Sequence, residues 1–179
     1  TLLALSWPNI LMMLAQSSTG QIETWFLSRL GTDALAGAAL VVPVLMLMQN
    51  MSQGAMGGGI SSAIARALGA GKIEEANQLV LQAVFLNAVL GIISSVVLFA
   101  AGPIVYVLMG GQAGALTAAL EYSNVISIGL VLLWTMNALA SAVRGTGNMV
   151  VPGAVICGGT LLLLPLSPAL IFGFGPLPP

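Results

Sequence analysis

Five apolar stretches, at about 2–27, 34–65, 77–101, 120–143 and 150–173, are each long enough to cross a bilayer, and nothing else in the sequence restricts the fold as strongly. A hydrocarbon core of about 30 Å takes about 20 helical residues. Lipid offers no partner to a backbone N–H or C=O, so such stretches close their hydrogen bonds internally as helices. The chain therefore reads as an all-α integral membrane protein, one membrane domain over residues 1–179 with five transmembrane helices. Only 5% of the residues are charged, against about 25% in an ordinary soluble domain.

The few charges sit in the links between these stretches. SRLGTD carries Arg29 and Asp33, RALGAGKIEE carries Arg66, Lys72, Glu74 and Glu75, RGTGN carries Arg144, and the link at about 102–119 carries none. If the spans alternate, the second and fourth links share a side and hold three of the four basic residues. The excess of Lys and Arg places that side, and the N-terminus, in the cytoplasm. Glu74 and Glu75 fit the first turn of a helix, where acids meet the positive end of the dipole. The second stretch is longer than a span requires, which predicts a tilt, a bend near Pro43, or a helix that continues into solvent at Arg66.

Within the spans, polar residues cluster in three places. QSSTGQIET at 16–24 puts Gln16, Ser17, Gly20, Glu23 and Thr24 in a sector of about 120°, apart from Leu11, Ala15, Ile22 and Phe26. A carboxylate in hydrocarbon is costly enough that its helix turns it to a cavity or a partner, which makes Glu23 a candidate functional group. The bland alternative is an interfacial Glu23 paired with Arg29. In the fourth stretch Ser123, Ser127, Trp134, Asn137 and Ser141 share a sector of about 80°, with Asn124 to one side. Such a stripe lines a cavity or joins helices by hydrogen bonds. In the fifth, Pro165 and Pro168 flank Ser167, and a break of this kind faces protein or water. Gly54, Gly57, Gly58, Gly59, Ser61 and Ser62 mark the second stretch as a close-packing helix.

Other chemistries are poorly supplied. There is no His and one cysteine, Cys157, in an apolar setting that suits packing. No metal site, disulfide framework or basic nucleic-acid surface is expected, and the paired catalytic groups of an intramembrane enzyme are missing. GAGK at 69–72 lacks the strand, spacing and Ser/Thr of a phosphate loop. Thr1 at the start and Gly-Pro-Leu-Pro-Pro at the end read as the edges of a fragment.

IETWFLSRLGTDALAG at 22–37, AMGGGISSAIARALGAGKIEEAN at 55–77, SAVRGTGNMVVPG at 141–153 and LSPALIFGFGPLPP at 166–179 resemble, in order, segments of the multidrug and toxic compound extrusion (MATE) family. The resemblance implies two pseudo-symmetric lobes of six helices, of which this chain holds the first five helices of the N-terminal lobe. It implies antiport of bulky, often cationic, amphipathic organic compounds against protons or sodium, with no other cofactor. The expected partners are a small organic substrate, membrane lipid and a C-terminal lobe. Glu23 falls where the family commonly has an acidic residue, most often Asp. Leu163 and Ser167 stand where many members have Asn and Asp, which concentrates the ion-coupling role in this lobe on Glu23. Gln16, Ser17, Gly20, Thr24, Asn124, Trp134, Asn137 and Ser167 are the candidate cavity-lining residues. The alternative within the wider superfamily, a flippase for lipid-linked oligosaccharides, would call for several basic cavity residues to hold a pyrophosphate, which these spans lack. A purely structural membrane protein is the remaining alternative, against which Glu23 and the fourth-stretch stripe speak.

Overall fold

A computed structural model of the chain describes residues 10, 14, 17–18, 20–22, 24–29 and 31–171. They fall into two compact units, one drawn from residues 1–31 and 148–179 and the other from residues 32–147. In the larger unit, α1 (Thr32–Asn50) runs through a six-residue π-helical turn (Met51–Met56) into α2 (Gly57–Gly69). There follow α3 (Ile73–Leu108) and α4 (Ala113–Gly145). The smaller unit contains α5 (Val150–Ile171), and its described residues between 10 and 29 are all helical. Among the described residues four segments are long and apolar enough to span a membrane: Thr32–Gly69, Ile73–Leu108, Ala113–Gly145 and Val150–Ser167. The first expected span, 2–27, lies largely outside the described residues.

The three spans of the larger unit have 38, 36 and 33 residues. At about 1.5 Å per residue they exceed a 30 Å core by roughly 20–27 Å. Hydropathy alone sets their ends too early, because it marks where lipid stops and not where backbone hydrogen bonding stops. The helices run on until a glycine turns them. After α2, Gly71 (φ +72°) lets its own N–H reach Leu68 O and that of Lys72 reach Ala67 O, both at 3.0 Å. After α3, Gly110 (φ +95°) does the same, with Gly111 N–H on Tyr106 O at 2.8 Å. Each satisfies carbonyls that a helix end leaves open, in a left-handed conformation that other residues adopt with strain. The link expected at 102–119 therefore shrinks to residues 109–112, and Pro103 lies inside α3.

The core gathers around α4. Leu130 and Trp134 are buried with Val41 from α1 and with Leu98 and Tyr106 from α3. On the other side of the same helix Ile128 and Leu132 are 80% and 75% exposed. Such a surface suits hydrocarbon, where the favourable contacts inside the bundle come from close packing. Glycine permits that closeness: a Cβ on Gly91 would stand 2.8 Å from Val131 Cα, and one on Gly37 would stand 2.8 Å from Ala119 N.

The π turn reconciles the two halves of the second span. At about 100° per residue, Gly37, Val41 and Ser52 fall within about 60° of one another, but Gly57 and Ile64 would fall about 180–200° away from Gly37. All five are buried. A π turn holds one residue more than an α turn, and that residue rotates α2 back by about 100°. Both halves can then face α4. Gly37 meets Ala118 and Ala119 near the start of α4, and Gly57 meets Ser141 near its end. The glycine-rich packing face expected here narrows to Gly57; Gly54, Gly58 and Gly59 have no described neighbour within 4 Å of an added Cβ.

Candidate functional site

The expected site residues divide between the two units. In the smaller unit Ser17, Gly20 and Thr24 are exposed, while Ile22 and Phe26 of the expected apolar sector are half-buried. Thr24 Oγ1 donates to Gly20 O at 2.8 Å, so its hydroxyl is satisfied within its own helix. Gln16 and Glu23 lie outside the described residues. Arg29, the alternative partner of Glu23, places its guanidinium 4.8 Å from the centre of the Trp25 ring, within reach of a cation–π attraction. Ser167 is half-buried in α5, as is Leu163.

In the larger unit the five stripe residues of α4 are all buried, and Asn124 is exposed. The serines are satisfied by their own helix: Ser123 Oγ donates to Leu120 O at 3.2 Å, Ser127 Oγ to Ser123 O at 2.7 Å and Ser141 Oγ to Asn137 O at 2.7 Å. Asn137 behaves differently. Its Nδ2 donates to Ser52 Oγ at 3.0 Å, and its Oδ1 accepts from Gln53 Nε2 at 3.3 Å. Both ends of the amide are thus held by consecutive residues of the π turn. One turn further on, Arg144 donates to Ser141 Oγ at 2.9 Å, extending the polar chain toward the end of the helix.

Trp134 lies one turn away and is 2% exposed. Its Nε1, with Asn87 Oδ1 and Tyr106 OH, is buried without a hydrogen-bond partner among the described residues. The Asn87 amide is satisfied at its other end, where Nδ2 donates to Ala83 O at 2.9 Å. Ser95 Oγ donates to Ser127 O at 2.6 Å and ties α3 to α4. Within this unit the stripe thus joins neighbouring elements through Asn137 and through the Ser127 carbonyl, while Trp134 Nε1 has no partner among the described residues.

Three residues escape a reading of the sequence. Ser52 and Gln53 are hidden by the glycines that dominate their segment; the signal for them is the polar run from Gln49 to Gln53 in the middle of a span. Glu121 is a further carboxylate within a membrane helix, exposed and eight residues into α4. At about 1.5 Å per residue it sits about 12 Å from the helix start, near the depth of the interface. Among the described residues no group of three metal-ligating side chains occurs.

Long helices, lipid-compatible outer faces and a polar interior seam define an integral membrane helical bundle. A family model for MatE matches residues 8–169, and the chain belongs to that family. It is 30% identical to the FAD transporter of Shewanella oneidensis over 99% of this chain and 39% of that protein. It is 33% identical to the probable multidrug resistance protein NorM of Deinococcus radiodurans, again over 99% of this chain and 39% of that protein. Among solved structures, a MATE transporter in the bent conformation aligns with a TM-score of 0.89 at 28% identity, covering 97% of this chain and 38% of that one. A MOP superfamily transporter from Pyrococcus furiosus, described as having a binding pocket of reverse polarity, aligns with a TM-score of 0.87 at 29% identity over 96% of this chain and 38% of that one. The chain thus spans about two fifths of the length of the relatives it matches.

Proposed function

We propose that this chain forms the first helices of the N-terminal lobe of a secondary antiporter that exports amphipathic organic compounds in exchange for protons or sodium. The observation that carries this reading is the match to the MatE family over residues 8–169, with Glu23 on a polar sector of the first expected span. Among the described residues of that segment Ser17, Gly20 and Thr24 are exposed, as are Leu14 and Trp25, while Ile22, Phe26 and Leu27 are half-buried. A carboxylate on that polar sector belongs to a surface made for a wet cavity or a second lobe, and its affinity for a cation changes when the cavity opens to one side or the other. Ion and substrate then compete through that change, and rocking of the two lobes supplies alternating access.

The bundle end that carries Arg66, Lys72 and Arg144 is cytoplasmic in this reading, with the N-terminus on the same side and the protein in a bacterial plasma membrane. A second reading concerns the substrate: the 30% identity to an FAD transporter along 99% of this chain supports a flavin nucleotide as an alternative cargo. Everted vesicles containing the full-length protein separate the two. Under an imposed pH or sodium gradient, movement of a cationic dye supports the first and movement of FAD the second. No gradient-driven movement of either would overturn antiport of these compound classes.

A further inference from the structure

Between the end of α2 and the start of α3 lies a cavity of about 380 Å³, lined by Ala63, Arg66, Ala67, Lys72, Glu75 and Leu79. Ala63, Ala67 and Leu79 contribute an apolar lining. Arg66, Lys72 and Glu75 contribute a charged one. Lys72 Nζ lies 2.8 Å from Glu75 Oε2, and this pairing raises the lysine pKa through the hydrogen bond first and the charge of Glu75 second. The two charges neutralise each other. The guanidinium of Arg66, in the last turn of α2, has no ion pair or hydrogen bond with any described residue, so its charge is uncompensated. Gly145 packs on Ser61 and Ile64, which brings Arg144 to the same end of the bundle.

We propose that this cavity binds the phosphodiester of an anionic phospholipid from the adjoining leaflet. The guanidinium of Arg66 offers a planar pair of donors to two phosphate oxygens. Lys72 lies within the same cavity and is shared between the phosphate and Glu75. The apolar lining receives the glycerol and the first methylenes, a contact that inorganic phosphate cannot make. Position supports the lipid: the cavity lies at the end of a span of 38 residues, about 27 Å longer than the hydrocarbon core, so this end extends toward the headgroup layer. Leu68 and Ile73, beside the site, expose apolar side chains as a lipid-facing rim does. A zwitterionic headgroup would bring its own ammonium toward Arg66 and Lys72, so the site selects net negative lipids.

Glu75 makes the proposal directional, because it competes with the phosphate for Lys72. The full-length protein is delipidated and equilibrated with equal phosphatidylglycerol and phosphatidylcholine, and the retained lipid is counted by native mass spectrometry. Wild type retains phosphatidylglycerol preferentially, R66Q reduces that preference about tenfold, the loss of one charge-assisted contact, and E75Q raises it. A gain in E75Q cannot come from misfolding. Equal retention of the two lipids by wild type, or an R66Q protein that retains phosphatidylglycerol as wild type does, overturns the proposal. Displacement of the lipid from wild type by millimolar inorganic phosphate also overturns it, in favour of a free-anion site.

Discussion

Asn137 of α4 donates a 3.0 Å hydrogen bond to Ser52 of the π turn, and with Gln53 accounts for both ends of a buried amide. The contact joins residues 85 apart in sequence at the one place where the second span leaves α-helical geometry. Hydrogen bonds between membrane helices average about 0.6 kcal/mol and reach about 1.7, because the unfolded helices find other partners in the bilayer. Ser52→Ala and Asn137→Leu should each destabilise the full-length protein, and a double-mutant cycle should give a coupling of about 0.6–1.7 kcal/mol. Unfolding by denaturing detergent measures it. A coupling of zero would mean that the two side chains do not meet.

Glycine substitutions should separate contact from mere proximity. A Cβ on Gly145 would stand 2.9 Å from Ser61 O and 3.0 Å from Ile64 Cβ, and one on Gly91 would press on Val131 Cα. Backbone cannot swing aside, so Gly145→Ala and Gly91→Ala should each cost about 1–3 kcal/mol. Gly58→Ala, with no described neighbour within 4 Å, should cost nothing measurable in the same unfolding assay. A loss at position 58 equal to that at 145 would show that another surface covers Gly58.

Shortening the π turn tests whether its extra residue sets the face of α2. Deleting Gly54 restores α-helical bonding and rotates α2 by about 100°. Gly57 then leaves Ser141, and Ile64 leaves Gly145. The deletion should abolish folded protein, whereas Gly54→Ala, at an exposed position with room for a methyl group, should preserve it. Size-exclusion profiles of the two purified proteins check this. Normal assembly of the deletion would mean that the turn absorbs length without fixing direction.

The π turn also shows where sequence reasoning stops. Spans and their order are legible because lipid demands long apolar helices, and the stripe from Ser123 to Ser141 is legible because α4 keeps one period over its whole length. The second span keeps a single hydrophobic period only if one residue is removed from the middle, and hydropathy contains no such instruction. Glycine turns at Gly71 and Gly110 are visible in LGAGK and LMGGQ, but apolar residues up to them obscure how far each helix runs. Nor can the stripe alone reveal its partner. Whether Asn137 faces a cavity or Ser52 depends on the rotation that the π turn imposes.

Topology is checked by single cysteines after Cys157 is replaced. Lys72 should react with impermeant reagent from one side of the membrane and Gln112 from the other, since α3 and α4 are antiparallel and joined at residues 109–112. Gln112 is exposed and serves better than Gly110, whose φ of +95° resists any side chain. The positive-inside reading expects position 72 to be labelled only in everted vesicles and position 112 in intact cells. Labelling of both from the same side contradicts the antiparallel pair.

In the proposed antiport Glu23 is the coupling group of this lobe, and Glu23→Gln isolates its charge. The amide keeps the size of the side chain and its capacity to hydrogen-bond, but cannot bind or release a proton and offers sodium no negative charge. If Glu23 couples the ion, the variant in the full-length protein is expressed and binds substrate like wild type but loses most gradient-driven export. An interfacial pair with Arg29 makes a different prediction. An exposed pair contributes only about 0–1 kcal/mol, and the Arg29 guanidinium already stacks on Trp25 at 4.8 Å. Both Glu23→Gln and Arg29→Gln would then transport almost normally. Export is measured in everted vesicles at several pH values, with and without sodium, alongside substrate binding to the purified protein. Wild-type rates in Glu23→Gln, with unchanged pH and sodium dependence, would exclude this carboxylate from coupling and direct attention to Glu121 and to the rest of the transporter.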